Sequence, residues 1–515
     1  MHASLAKLTA TGTLVGVVVS YVARQGEIEQ HLVRLLGLFG GSNLILVAYA
    51  VISGTGCVSH ALAQVLLINV AFFTGLFGNI VLYRLFFHRL RHVPGPLGPR
   101  ISRLYTAFSQ LTHTQMHYTV QEMHQQYGDV VRTGPREISI CRPSAIKAIY
   151  GPPTRCTKSP WYDQMTYDTA RKGFIAIRDI KAHGQRRRVW DQGIRTQAIK
   201  QYQERIAAKS RLFVRKIGEQ KGQPVNFTKE VIRFAFDVMG DIVLGTEFGM
   251  LETGRIPDAL QQMHKSTKAL AVGGSIPWMP ALMLQIPGMS KIANPFRHYC
   301  HEQLAAVQEV CPAVRGPWCH GSRSNVSQAQ TQSEEPTDMI SWVIRAQNNG
   351  DPGAPSPDGL KDDAWVLIIA GSDTTSTVLT NTLFYLATHP DVQTNLQSRL
   401  DEVFPAGMGS WSYEPARDMD YLTWIINETL RLKPAVPGGL SRVTPPEGLQ
   451  IDELRIPGDV VVSVPTFTIH RDGRFWEKGD RFVPDRWEKI DTNQAPYLPF
   501  SRGVLSQPSL GCRRR

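Results

Sequence analysis

Between Arg34 and Arg84 the chain carries no Asp, Glu, Lys or Arg. An uncharged apolar stretch of this length holds two helical membrane spans of ~20 residues each, and here they divide around Ser53-Gly54-Thr55-Gly56 and His60. A shorter apolar run, residues 8–23, lies ahead of them between Lys7 and Arg24. A cleaved signal peptide would end in a small-residue site followed by a polar mature start, and this run does not. Residues 1–93 are therefore expected to form a membrane anchor of two or three transmembrane helices in a lipid bilayer. Arg84, His88, Arg89, Arg91 and His92 follow the last span at once. By the positive-inside rule they place the rest of the chain in the cytosol. His92-Val93-Pro94-Gly95-Pro96-Leu97-Gly98-Pro99 then reads as a stiff neck, because proline fixes φ and resists helix.

The remaining residues are long enough for one large domain. The net charge of +12 is spread in short clusters, the tightest being Gln185-Arg186-Arg187-Arg188, with no interleaved aromatic ladder. No nucleic-acid-binding module stands behind it, so an acidic partner protein or an anionic membrane face suits the charge better. The seven cysteines form no CxxC pair, which argues against a disulfide framework or a zinc site and for a reducing compartment.

Periodicity predicts a mainly α domain with a small β region. Helices are expected over 111–127, 186–216, 231–244, 257–270, 296–310 and 361–389. Strands are expected at 130–134 and 137–141 around a Gly-Pro turn, and at 449–455 and 460–464 around Pro457-Gly458. Residues 311–336, rich in Ser, Gln, Gly and Pro, read as a disordered insertion. The 361–389 segment opens with Asp362 and Asp363, suited to a helix's positive end. It runs apolar on every side to Ala370-Gly371-Ser372-Asp373-Thr374-Thr375. A helix without a polar face is normally buried, and Gly within it costs roughly 1 kcal/mol against Ala. The stretch is either a hydroxyl-rich bend with satisfied hydrogen bonds or a helix held open over a cofactor, with an acid and a hydroxyl handling protons.

Other motifs are weaker alone. His183 and Arg187 share one helix face at i and i+4. The pair is a solvated basic face or a cradle for a buried ligand's carboxylates or phosphates, which Arg binds in bidentate fashion. Glu428 and Arg431, at i and i+3, would be worth only ~0.3–0.5 kcal/mol if exposed. Phe482-Val483-Pro484-Asp485-Arg486-Trp487 offers a second Arg near that acid if the chain folds back. His470-Arg471-Asp472 resembles a kinase catalytic loop, but no Gly-rich phosphate loop or Asp-Phe-Gly accompanies it. The glycosylation sequons at Asn226, Asn325 and Asn427 stay unmodified in a cytosolic domain.

Taken together and in order, these motifs resemble the cytochrome P-450 superfamily of haem-thiolate monooxygenases, fungal microsomal type, from about residue 94 to 503. Residues 179–190 and 234–241 look like the C and E helices of fungal members. The resemblance implies that residues 94–515 are the catalytic domain, and that Asp373 and Thr374 help deliver protons to bound dioxygen while Thr375 supports the helix opening. It implies that Glu428, Arg431 and Arg486 form the structural triad, and that His183, Arg187 and Arg442 contact the haem propionates. Haem supplies the redox chemistry, and the protein supplies ligand, orientation and protons. The implied reaction inserts one oxygen atom from O2 into an apolar small molecule, plausible in fungal secondary metabolism. Electrons would come from NADPH through a reductase, at the endoplasmic reticulum membrane. Residues 161–177 and 273–283 are the expected apolar substrate lining.

One departure stands out. The family has Phe-x-x-Gly, an Arg, the iron-ligating Cys and a Gly opening helix L. This chain has Phe500-Ser501-Arg502-Gly503 and then Val504-Leu505-Ser506-Gln507, with Cys512 displaced by five residues. Gln507 stands where the Cys is expected, and Cys512 lacks a following helix to aim its sulfur. The metal ligand is therefore expected to be missing, with the fold truncated before helix L. The alternative to an active monooxygenase is an inactive, truncated or mis-spliced membrane-anchored relic.

Overall fold

The computed structural model describes residues 2–24, 31–55, 57–152, 154–165, 173–276, 279–283, 295–310 and 336–502. Helices of ten residues or more are α1 (His2–Val22), α2 (Leu32–Ala50), α3 (Val58–Leu82), α4 (Arg103–Thr112), α5 (Met116–Tyr127), α6 (Ile180–Gln192) and α7 (Thr196–Glu219), then α8 (Phe227–Met239), α9 (Asp258–Gly274), α10 (Pro295–Val310), α11 (Met339–Asn348), α12 (Pro357–Thr388), α13 (Pro390–Val403) and α14 (Asp420–Leu432). The strands are β1 (Val130–Gly134), β2 (Glu137–Ile140), β3 (Thr157–Lys158), β4 (Arg442–Val443), β5 (Leu449–Ile451), β6 (Leu454–Ile456) and β7 (Val461–Ser463). The fold is mostly helical with small sheets, as the periodicity predicts. The expected insertion at 311–336 lies outside the described residues except for Pro336.

The chain divides into two compact units. The first comprises residues 1–114, 126–138 and 268–290. In it, α1, α2 and α3 pack together, and the proline neck is tied down. Arg132 N donates to Pro94 O at 2.7 Å. The fully buried Arg132 guanidinium donates to Arg84 O at 3.1 Å and Pro135 O at 2.7 Å. Gly95 adopts φ +152°, and a Cβ there would meet the Arg132 backbone.

The second unit is built around α12. Its core joins Ile368, Leu360 and Ala364 of α12 to Phe236 of α8, Trp190 of α6, Phe296 of α10 and Ile340 of α11. β4 pairs antiparallel with both β3 and β7, setting Lys158 opposite Arg442 and Arg442 opposite Val462. β5 and β6 form a separate hairpin.

Several boundaries differ from the periodicity. The 186–216 stretch is two helices broken at Gly193, where a Cβ would lie 3.2 Å from Met339 Cα. The 111–127 stretch breaks before Met116, and 449–455 turns back at Asp452, whose φ is +50°. The helix expected over 361–389 starts earlier, with Pro357 in its first turn and the Ser356 hydroxyl capping Gly359 N at 3.1 Å. Asp362 and Asp363 thus lie more than a turn inside α12, and both are buried. They are there as ion-pair partners and not as dipole ligands.

Candidate active site

The site is assembled from three places on the second unit. On α14, Glu428 and Arg431 are both fully buried. Arg431 Nε and a terminal nitrogen donate to the two Glu428 oxygens at 2.9 and 2.8 Å. The rest of the guanidinium is consumed by the carbonyls of His470, Gly479 and Arg481. Glu428 also accepts from Arg486 Nε at 3.1 Å, Trp487 Nε1 at 3.0 Å and Val483 N at 2.9 Å. A buried ion pair is stable only when its remaining hydrogen-bonding capacity is met. Here that capacity is met by backbone some fifty residues downstream, so the pair fastens the chain after β7 onto α14.

The second place is a buried cluster of positive charge. Arg442 is 2% exposed on β4, and donates to Ser441 O at 3.0 Å and Tyr162 Oη at 3.3 Å. Across the ladder, Lys158 is equally buried, its ammonium on the carbonyls of Phe174 and Ile175 at 3.3 and 2.9 Å. Burial, with Arg442 beside it, pushes the Lys158 pKa down to about 7, against a smaller upward pull from Asp363. From α6, His183 is wholly buried and stacked on Phe174 with ring centroids 4.5 Å apart. Among the described residues, neither ring nitrogen has a hydrogen-bond partner. Burial first, then Lys158, Arg187 and Arg442, drive its pKa down to about 3, so the imidazole is neutral. Arg187, one turn on, is partly exposed and approaches Asp191 at 3.5 Å. Asp363 anchors α6 from α12, accepting from Trp190 Nε1 at 2.8 Å, Arg186 at 3.1 Å and Phe174 N. Burial raises its pKa against the pull of Arg186.

The third place is the middle of α12. Thr374 Oγ1 donates to Ala370 O at 2.6 Å, a back-bond of the kind that bends helices. Ser372 is buried and reaches Ala235 O on α8 at 3.3 Å. At Gly371 a Cβ would collide with the Met239 side chain, so that glycine permits close packing of α8 on α12. The sequence suggests a buried acid at 373, yet the Asp373 side chain is 41% exposed, 3.5 Å from His264 Nε2 on α9. Thr375 is exposed.

The family model described as Cytochrome P450 matches residues 96–505. A cytochrome P450 monooxygenase of Fusarium pseudograminearum (strain CS3096), FCK2, is 31% identical over 94% of this chain and 85% of its own length. The chain belongs to the cytochrome P450 family. A second P450 monooxygenase, orf5 of Eupenicillium brefeldianum, is 34% identical over 83% of this chain and 82% of that protein. Tryprostatin B 6-hydroxylase of Aspergillus fumigatus is 31% identical over 88% and 77%.

Cytochromes P450 carry haem, whose two propionates lie on one edge of an otherwise apolar ring. The buried cluster suits that edge. Lys158, Arg442, Arg187 and His183, which has no hydrogen-bond partner among the described residues, carry donors, while Asp363 is engaged by Trp190 and Arg186 and Asp191 pairs with Arg187. The positions of Gln507 and Cys512 lie outside the described residues.

The sequence gives no sign of Lys158 or His264, suggests a helix-end charge at Asp363 and places Tyr162 only within the expected apolar lining. Lys158 has no local signal, because only the β3–β4 pairing brings it beside Arg442. The basic run at 185–188 hid a division of labour, in which Arg186 pairs with Asp363 and Arg187 with Asp191. Of the expected substrate lining, 166–172 and 277–278 lie outside the described residues.

Proposed function

We propose that the chain is a haem-dependent monooxygenase inserting one oxygen atom from O2 into an apolar small molecule, with residues 1–93 as membrane anchor and 94–515 as catalytic domain. The observation that carries this reading is the buried cation cluster, in which, among the described residues, neither Lys158 nor Arg442 forms an ion pair and neither ring nitrogen of His183 has a hydrogen-bond partner. Haem, when bound, supplies the redox chemistry. Lys158, Arg442 and Arg187 would hold its carboxylates as charge-assisted donors, and His183 Nε2–H or Nδ1–H would add a neutral one. The Glu428–Arg431–Arg486 triad fixes the backbone beneath the site. On α12 the Thr374 hydrogen is committed to Ala370 O, which leaves Thr374 Oγ1 with acceptor capacity. Asp373, half open to water, takes protons from solvent at Oδ1 and passes them on. Thr375 supports the bend. Electrons arrive from NADPH through a reductase at a basic face, and the chain works at the endoplasmic reticulum membrane, its catalytic domain cytosolic. Similarity to fungal monooxygenases, one named for hydroxylating tryprostatin B, supports a role in secondary metabolism.

Residue 507 favours a second reading, an inactive relic. Four positions after Gly503, where the family places its iron-ligating Cys, this chain has Gln507. The full chain, expressed with haem and treated with dithionite and carbon monoxide, decides between them. The red-shifted Soret band of thiolate ligation supports the enzyme. Its absence, with haem bound, supports the relic. Sequencing the native transcript across the codons for 499–515 then shows whether Gln507 belongs to the mature message.

A further inference from the structure

We propose that the amino-terminal helices form a three-span bundle whose outer face is fitted to a lipid bilayer, with the start of α1 on the lumenal side. This rests on the membrane reading above and goes beyond it in fixing the number and direction of the spans. Register sets the direction of each helix. Moving along α1, Gly12 meets Ile68, Gly16 meets Phe72, Ser20 meets Asn79 and Arg24 meets Tyr83. Both numbers rise together, so α1 and α3 run parallel from Gly12 to the end of α1.

That contact needs small residues. A Cβ at Gly12 would lie 2.9 Å from Ile68 O, and Cβ atoms at Gly16 and Gly75 would strike the backbones of Phe72 and Thr13. Gly12 and Gly16 are a G-x-x-x-G pair, the spacing that brings membrane helices into backbone contact. Asn79 Nδ2 donates to Ser20 Oγ at 2.5 Å, and the Arg24 guanidinium lies 3.7 Å above the Tyr83 ring. For α2 the order reverses. Phe39 packs on Phe72 and Phe73, and Asn43 accepts from Asn69 Nδ2 at 2.6 Å. As α2 numbers rise, α3 numbers fall, so α2 runs antiparallel. Three consecutive spans with short turns produce this pattern, whereas a surface-lying or cleaved α1 has no need of it.

Lipid is the occupant that the chemistry of the outer face selects. Leu14, Val18, Leu38, Leu44, Leu66 and Phe77 all point outward and exposed, an apolar area that water would not tolerate. Thr9, Thr11, Thr13, Ser42 and Thr74 each donate to a carbonyl three or four residues back in their own helix, as hydrocarbon demands. Charge agrees with direction. Arg24, Arg34, Arg84, Arg89 and Arg91 gather at the end where α1 and α3 finish, while Lys7 is the one Lys or Arg at the other end, counting 1–8 and 53–60. The positive-inside rule puts the arginine end in the cytosol.

The test uses the full chain in microsomes. An Asn-x-Thr acceptor is fused ahead of His2 through a flexible spacer, and Cys57, exposed in the turn between α2 and α3, is probed with a membrane-impermeant maleimide. One added glycan, with Cys57 labelled only after the lumenal side is opened, is expected. A Ser20→Cys/Asn79→Cys pair should then cross-link within one chain. A carbonate-resistant chain with an unglycosylated, protease-accessible amino terminus overturns the three-span topology and leaves the membrane reading standing. Release by carbonate overturns both.

Discussion

Lys158 shows what burial beside another cation costs a single residue. Its pKa falls from 10.5 to about 7 because burial and Arg442 both disfavour the ammonium. The unfolded chain therefore binds more protons than the folded one between those values, and stability rises with pH across that window. Without ligand, the chain should gain thermal stability from pH 7 to 10. Lys158→Met should flatten that slope and raise the midpoint at pH 7 by ~2–4 °C, the shift expected for about 1 kcal/mol in a large domain. A parallel slope in the variant would show that another group titrates. At Asp373 the scale is smaller. A 3.5 Å contact with His264, both side chains a third or more exposed, is worth ~0.2–1 kcal/mol. A double-mutant cycle of His264→Ala and Asp373→Asn should give a coupling in that range, and strict additivity would show the contact is not made. Asp373, Thr374 and Arg442 were visible in the sequence as motif positions. Lys158 and His264 were not, because each matters through a neighbour more than a hundred residues away.

Among the elements, α12 and α14 carry the architecture in different ways. The α14 pair looked negligible as an i,i+3 contact, but with both partners at zero exposure it belongs to another class of interaction. Removing one partner strands a buried charge, at a cost of ~3–5 kcal/mol. Glu428→Ala should thus lower the yield of folded chain far more than Glu414→Ala, whose parent residue is exposed. Equal yields would contradict the account. Helix α12 reads as apolar on every side, which the sequence shows, and its buried acids read as end charges, which the structure revises. Asp363→Asn should loosen α6 by weakening its bonds to Arg186 and Trp190, seen as faster hydrogen exchange in α6 than in α14. Helix existence was legible from periodicity. The breaks at Gly193 and before Met116 were not, because they are set by packing and by the chain's return path.

At the scale of the whole molecule, an apolar amino-terminal unit and a helical P450 unit follow from two different signals. The first needs only composition, since a stretch uncharged over 35–83 is long enough for two apolar helices of membrane-spanning length. The second needed several weak motifs in the right order, none decisive alone, before the family match over 96–505 joined them. The claim that holds the account together is that the buried cations of the second unit exist to receive two carboxylates on one edge of a flat apolar ring. It is tested directly by titrating the full chain in detergent with protoporphyrin IX and with its dimethyl ester, following porphyrin fluorescence. The free acid should bind at least ~10-fold more tightly than the ester, a difference of about 1.4 kcal/mol, and Arg442→Ala should erase that preference. Equal affinity for acid and ester, unchanged by Arg442→Ala, would contradict it.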